Sequence, residues 1–169
     1  IKVSGKPIAA VIKRNNLHDY YGFQHFKNQD IRQAIDDFEK YLEYDPHHED
    51  VLSKLANCYM QTKQFSKAQD IVDRALEVNP KSSTALGIAG VVHKQQQNYR
   101  KAIDMLEKSI DQNRYYAFAY FHLGDAYYRI QQPRRALEYF NQLRKINPRM
   151  YKQAQQVVKQ CRQMLRQQS

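Results

Sequence analysis

The sequence predicts an all-α protein, an α-solenoid of four helical hairpins followed by a C-terminal capping helix. The 169 residues include only five glycines and five prolines and show no alternation of Val, Ile and Thr, which argues against long loops and against sheet. A fixed period of about 34 residues indicates stacked helical pairs. Three series recur in one register at that period or at twice that period: Pro46, Pro80 and Pro148; Ala34, Ala68, Ala102 and Ala136; Gly22, Ala56, Gly90 and Gly124.

The four copies occupy residues 15–48, 49–82, 83–116 and 117–150. In each copy, small residues at the eighth and twentieth places allow the two helices to approach closely, where a larger side chain would force them apart. A proline ends a copy because it lacks the amide proton that would continue a helix. The third copy departs from this pattern, since Arg114 stands where the others have proline.

The two ends of the chain depart from the repeat. Residues 1–14 are predicted to be a connector, because Gly5 and Pro7 would fall inside a helix of any preceding copy. Residues 151–169 are predicted to form the capping helix, whose other face is rich in cations and glutamines and keeps the end of the stack soluble. Helical spacing places its apolar residues on one face: Ala154, Val157, Val158, Cys161, Met164 and Leu165.

The repeat carries a recognisable pattern of bulky, small and aromatic residues. In the fourth copy it reads Tyr120, Leu123, Gly124, Tyr127, Ala136, Phe140 and Pro148, and in the second Leu52, Leu55, Ala56, Tyr59, Ala68, Val72 and Pro80. Over residues 15–150 the chain therefore resembles the tetratricopeptide repeat family. The resemblance implies a right-handed superhelix whose concave groove is lined by the first helix of each hairpin. It says little about function, because such repeats serve many unrelated partners.

The resemblance also implies which side chains would line that groove. The surface they form is largely apolar, with lysines and an arginine along its edge, and it would suit a protein partner that offers a peptide or an amphipathic helix with apolar anchors and acidic flanks. Carrying the family register onto this sequence gives Tyr20, Phe23, Phe26, Lys27, Lys54, Asn57, Met60, Ile88, Val91, Lys94, Phe118, Phe121, His122, Asp125, Tyr128 and Arg129.

Two alternatives to that groove stay open. Some of these side chains would instead belong to the core, with Ile88 and Val91 evenly balanced between the two roles, or would be covered by residues 1–14 folding back.

The clamp with which some family members hold the acidic tails of chaperones needs Lys and Asn at set places. This chain has Ser53, Asn57 and Ile88 at the first three of them, which argues against that partner. Self-association is also compatible with the sequence.

The net charge of +10 is concentrated at one end of the chain. Residues 129–169 hold ten Lys or Arg against Glu138 alone, whereas residues 1–128 hold 17 basic and 16 acidic groups. Nucleic acid or an anionic membrane surface is the alternative partner that this end suggests, and a solvated face or a surface for an acidic protein is the simpler interpretation. Beyond Arg129 the basic residues are Arg134, Arg135, Arg144, Lys145, Arg149, Lys152, Lys159, Arg162 and Arg166.

Nothing in the sequence indicates catalysis. The six histidines pair with no acid or cysteine at metal-ligand spacing, and no glycine-rich phosphate loop or nucleophile elbow is present, so no enzyme, metal or cofactor is expected. Cys58 and Cys161 lack paired spacing and are expected to be reduced thiols of a cytoplasmic protein. The chain starts at Ile1, which suggests a piece of a longer protein whose upstream part could carry an anchor or signal.

Overall fold

A computed structural model describes residues 2–3, 6–7, 22–28 and 30–167, and the all-α prediction is confirmed over residues 22–28 and 30–167. The chain divides into two compact units, Ile1–Pro80 and Lys81–Ser169. Two short strands lie within residues 1–14, which the sequence predicts to be a connector. There, β1 (Lys2–Val3) pairs antiparallel with β2 (Lys6–Pro7).

The described residues of the first unit form two helical hairpins. The described helical residues 22–27, here α1, precede α2 (Ile31–Leu42), and α3 (Glu49–Gln61) precedes α4 (Phe65–Val78). His48 caps α3, because its Nδ1 accepts a hydrogen bond from the amide of Val51 at 3.4 Å. Such a cap satisfies one of the amide groups that a helix leaves unpaired at its start.

The second unit contains two further hairpins and the predicted capping helix. They are α5 (Ser83–Gln95) with α6 (Tyr99–Gln112), α7 (Ala117–Arg129) with α8 (Pro133–Ile146), and α9 (Pro148–Gln167). Helices α3, α5 and α7 each begin at the first place of a predicted copy. Helix α9 packs on α7 and α8 and buries Ala154, Val158 and Cys161.

The small residues at the eighth place make room for a large side chain from the second helix of the same hairpin. A methyl group added at Gly124 would lie 2.5 Å from the ring of Phe140, and one at Gly90 would lie 2.5 Å from Cγ of Leu106. Both distances are far below van der Waals contact, so the glycines permit a helix approach that alanine would obstruct. Gly22 stands in the same relation to Phe38.

The turns inside the hairpins use left-handed residues that are not glycine. Lys63, Gln97 and Gln131 have φ values of 60°, 61° and 58°, and they occupy the same place in successive copies. After each of them, the next amide donates to the carbonyl five residues back, as in the 2.9 Å bond from Asn98 to His93. This bonding closes the first helix of the hairpin, and it offsets the steric cost of a left-handed side chain.

Both thiols should resist alkylation in the native chain. Cys58 and Cys161 are fully buried and form no disulfide. Burial raises the pKa of Cys58 to about 12 and that of Cys161 in the same direction, whereas the thiolate is the reactive form. Under iodoacetamide at about pH 8 we expect mass spectrometry to find no label on the folded chain and two labels on the urea-unfolded chain. Rapid single labelling of the folded chain would contradict this packing.

Candidate protein-interaction surfaces

In the first unit, the predicted groove residues lie along α1 and α3. Phe23, Phe26, Lys54, Asn57 and Met60 are half-buried and Lys27 is exposed, and together they form what we call the α1–α3 face; Tyr20 lies outside the described residues. The ammonium of Lys54 lies 4.2 Å from the centre of the Phe23 ring and 3.0 Å from Asp50. This cation is therefore already engaged within the unit by a ring and a carboxylate.

In the second unit, the predicted residues separate into buried and accessible groups. Ile88 and Val91 are only 1% and 3% exposed, so they offer almost no area to a partner, and we leave them out of the surface proposed below. The accessible group is called the α5–α7 face. It consists of Lys94, Phe118, Phe121, His122, Asp125 and Tyr128, all partly buried, and the exposed Arg129.

Three charged groups meet at the centre of the α5–α7 face. The Lys94 ammonium donates to Oδ2 of Asp125 at 2.5 Å, and the two side chains are only 11% and 17% exposed. The other carboxylate oxygen of Asp125 lies 3.6 Å from Nε of Arg129, whose side chain is 57% exposed. Two cations therefore share one carboxylate, and the surplus positive charge sits on the side chain nearer to solvent.

His122 completes the cluster as a neutral acceptor. Its Nδ1 lies 3.0 Å from the Lys94 ammonium, and its ring makes edge contacts with Phe118 at 4.4 Å and Phe121 at 5.1 Å between ring centres. Burial and, secondarily, the charge of Lys94 hold the pKa of His122 well below its ordinary value. The imidazole is therefore uncharged near neutral pH, and Lys94 donates to it.

A cleft of about 230 Å³ opens beside this cluster. That volume is below the roughly 300–1,000 Å³ typical of small-molecule sites, and it suits a single side chain of a partner better than a cofactor. Gln97 and Tyr99 were absent from the groove predicted from the sequence, because they belong to the turn and the second helix of the hairpin. The cleft is lined by Lys94, Gln95, Gln97, Tyr99, Asp125 and Arg129.

The basic residues predicted as a patch are all exposed. Arg134, Arg135, Arg144 and Lys145 lie on α8, and Arg149, Lys152, Lys159, Arg162 and Arg166 lie on α9. Arg135 also lies 5.7 Å from the centre of the Tyr127 ring, and one of its guanidinium nitrogens is 3.4 Å from the hydroxyl of that tyrosine.

A cluster of tyrosines that sequence reasoning missed joins the two hairpins of the second unit. The hydroxyls of Tyr127 and Tyr139 donate to the same oxygen of Glu107, at 2.8 and 2.9 Å, and their rings stack 5.3 Å apart. Burial, followed by the bond to Glu107, raises the pKa of both phenols, which stay protonated donors. The first unit repeats part of this arrangement two copies earlier, where Tyr59 donates to Glu39 beneath Lys67 and Ile71 stands in the place of Tyr139. This recurrence is the signal that could have revealed it.

Among the described histidines, His25, His48 and His122 have polar partners within the fold. Nδ1 of His25 lies 3.0 Å from Asp37, an acid–histidine pair that the sequence spacing did not suggest. It links α1 to α2. In the part of the chain that the structure describes, no three His, Cys, Asp or Glu side chains are grouped closely enough to hold a metal ion. None of the described helices is both long and apolar enough to cross a bilayer.

Comparison with protein families places repeats along most of the chain. Tetratricopeptide repeat models match residues 25–88, 83–116 and 117–150. Together these matches span residues 25–150, which lie within residues 15–150, where the repeat pattern was read. No curated protein sequence matches the chain significantly.

Several solved structures have the same fold. The crystal structure of MamA protein is 22% identical, with 90% of this chain and 88% of that chain covered and a TM-score of 0.68. For PilF of Pseudomonas aeruginosa the identity is 20%, the coverage 93% and 77%, and the TM-score 0.71. YrrB is described as a TPR protein with an unusual peptide-binding site. It is 17% identical, with 85% of this chain and 76% of that chain covered and a TM-score of 0.64. At these identities the likeness concerns the fold alone.

Proposed function

Because the chain belongs to the tetratricopeptide repeat family, we propose that it is a protein-interaction scaffold whose α5–α7 face binds a peptide or an amphipathic helix. The observation that carries the proposal is a set of half-buried aromatic rings, Phe118, Phe121 and Tyr128, beside the exposed guanidinium of Arg129. Each ring is anchored on one side by its own unit and open on the other. The role proposed is binding rather than catalysis.

The aromatic rings supply contact area at a small entropic cost. Phe118 and Phe121 are held against the ring of His122, and Tyr128 packs against the buried core of the second unit. Side chains that are already fixed lose little freedom when a partner covers them. Rigid aromatic rings of this kind are typical of the few residues that dominate binding energy at interfaces. They favour a partner with aliphatic or aromatic anchors.

The charges on the same face favour an acidic flank in the partner. Lys94 and Asp125 neutralise one another, which leaves Arg129 as the surplus cation at the mouth of the cleft. The 3.6 Å contact of Arg129 with Asp125 is longer than a charge-assisted hydrogen bond, so its guanidinium can turn to an incoming carboxylate at little cost. YrrB, which has the same fold, is described as having a peptide-binding site, and this also supports the proposal.

Replacement of Phe121 by glutamate should weaken peptide binding by about 30-fold or more, as expected when a central anchor is lost. The probe is a peptide enriched on the immobilised chain from a random-peptide phage library, labelled with fluorescein and titrated by fluorescence anisotropy. The introduced carboxylate removes apolar area and adds a charge that repels the acidic flank. Because the Phe121 side chain is only partly buried, the helical circular dichroism should stay unchanged.

Tyr44→Glu is the matched control. Tyr44 is an exposed aromatic, 44% accessible, in the turn between α2 and α3, and its replacement should leave peptide affinity within about twofold. Equal affinity of the enriched peptide for the Phe121→Glu variant and the unaltered chain would rule out the α5–α7 face. Enriched peptides without apolar residues would count against the proposed anchors.

A further inference from the structure

We propose that the outer face of α9 is a second binding surface, one that takes the phosphate backbone of duplex DNA without reading its sequence. The surface is separate in chemistry from the aromatic α5–α7 face and does not depend on peptide binding there. The proposal follows from the arrangement of cations on this helix, from the absence of acidic residues in it and from the way its apolar residues are used.

The cations of α9 form a stripe along one side of the helix. At 3.6 residues per turn they fall within an arc of about 140°, and the stripe is about 26 Å long at 1.5 Å per residue. Its members are Arg149, Lys152, Lys159, Arg162 and Arg166, all of them exposed. The exposed amides of Gln155, Gln156 and Gln163 lie between them and can donate to phosphate oxygens. The stripe therefore presents a row of hydrogen-bond donors of one charge sign.

No carboxylate competes for this stripe from within the helix. Helix α9 contains no Asp or Glu, and Glu138 is the sole acidic residue from 129 to 169. Among the described residues, none of the ion pairs involves Lys152, Lys159 or Arg162. A phosphate that binds Lys152, Lys159 or Arg162 breaks none of these ion pairs, and it releases counterions, which is the usual source of affinity for nucleic acid.

The apolar side of α9 is committed to the fold. Ala154, Val158 and Cys161 are buried where the helix packs on α7 and α8. An amphipathic helix that lies in a membrane interface must insert its apolar face into the lipid, and α9 cannot do so without leaving the core. Single-stranded nucleic acid is disfavoured as well, because it needs several outward aromatic rings for base stacking, and the single aromatic residue of α9, Tyr151, packs against the core of the second unit.

The dimensions favour B-form DNA over duplex RNA. An α-helix with its side chains is about 10–12 Å across and matches a DNA major groove about 12 Å wide, with phosphates along both edges. The major groove of A-form RNA is too narrow to admit side chains. Cations spread across an arc of about 140° can reach phosphates on either side of the DNA groove at once.

The test uses the whole chain and a fluorescein-labelled DNA duplex of roughly 20 base pairs, titrated by anisotropy from about 50 to 200 mM KCl. The variant Lys152→Gln/Lys159→Gln/Arg162→Gln removes three stripe cations. The control Lys40→Gln/Arg100→Gln/Lys101→Gln removes three exposed cations from other helices, so both variants have the same net charge. Because the altered residues are all exposed helix positions, both variants should fold normally.

We expect the unaltered chain to bind the duplex with an affinity that falls steeply as salt rises. The stripe variant should bind at least tenfold more weakly, with a log–log salt slope smaller by about 2.7, whereas the control should change the slope by less than about 1. Absence of binding at about 50 mM KCl, or equal losses in the two variants, would overturn the proposal. Equal or tighter binding of an RNA duplex would overturn it, as would stripe-dependent binding of phosphatidylserine vesicles or polyglutamate without DNA binding.

Discussion

Replacement of Phe140 by alanine should lower the free energy of unfolding of the second unit by about 3–5 kcal/mol, the usual cost of removing a fully buried phenylalanine. Phe140 is 1% exposed, and its ring occupies the space that Gly124 leaves between α7 and α8. Alanine cannot fill that space, and the rigid helices cannot close over it. Urea titration followed by circular dichroism measures the loss, and hydrogen exchange in α7–α9 assigns it to this unit.

Tyr115→Ala provides the control, because Tyr115 is 72% exposed and its loss should change stability by no more than about 0.5 kcal/mol. A double-mutant cycle then tests the pairing of Phe140 with Gly124. Gly124→Ala alone should destabilise the unit, since overpacking at about 1–3 kcal/mol outweighs a gain in helix propensity of about 1 kcal/mol. With Phe140→Val present, the same change should become stabilising. Additive effects would show that the two sites do not constrain each other.

The pairing of Gly124 with Phe140 also shows why so much of the fold could be predicted from the sequence. In the third copy the two corresponding places hold Gly90 and Leu106. In the second copy they hold Ala56 and Val72, a larger residue at the first place and a smaller one at the second. Size at one place compensates size at the other, so the repeat records a packing rule as well as a spacing. This rule fixes how the two helices of a hairpin align, because the small and the large residue face each other in only one register.

The turns within the hairpins could not be predicted in the same way. Lys63, Gln97 and Gln131 adopt a left-handed conformation that no glycine in the sequence signals. The conformation lets the next amide donate to the carbonyl five residues back, which closes the first helix of each hairpin. Lysine and glutamine do not signal this conformation in a sequence, so the position could not be recognised there.

The exposure of the residues in the candidate surface could not be predicted from the sequence. The family register places Ile88 and Val91 with Phe118 and Phe121, although the first two are buried and the others are accessible. Register fixes the direction in which a side chain leaves its helix. Whether solvent reaches that side chain depends on the size of its neighbours, which no period records. The pairing of Lys94 with Asp125 was missed for the same reason, since their closeness arises only when α5 and α7 pack together.

The Lys94–Asp125 pair should show how strongly burial determines the contribution of an ion pair to the free energy of unfolding. Replacement of Lys94 by methionine keeps the volume of the side chain but leaves the Asp125 carboxylate with only the guanidinium of Arg129, 3.6 Å away and mostly exposed, as a cationic partner. Breaking a buried pair typically costs about 3–5 kcal/mol, and the residual exposure of 11% and 17% reduces the expected loss to about 2–4 kcal/mol. Urea unfolding of the variant measures the loss, which should change little with added salt.

Lys108→Met is the matched control for this change. Lys108 and Asp104 are 2.8 Å apart but 53% and 54% exposed, so their loss should cost no more than about 1 kcal/mol. Because the two pairs are nearly equal in length, a difference in cost must come from burial. The double variant Lys94→Met/Asp125→Leu should recover most of the stability, since no buried charge is then left alone. Equal losses for the two lysine variants, or a double variant as unstable as Lys94→Met, would show that the cluster is solvated and that its charges do not shape the face.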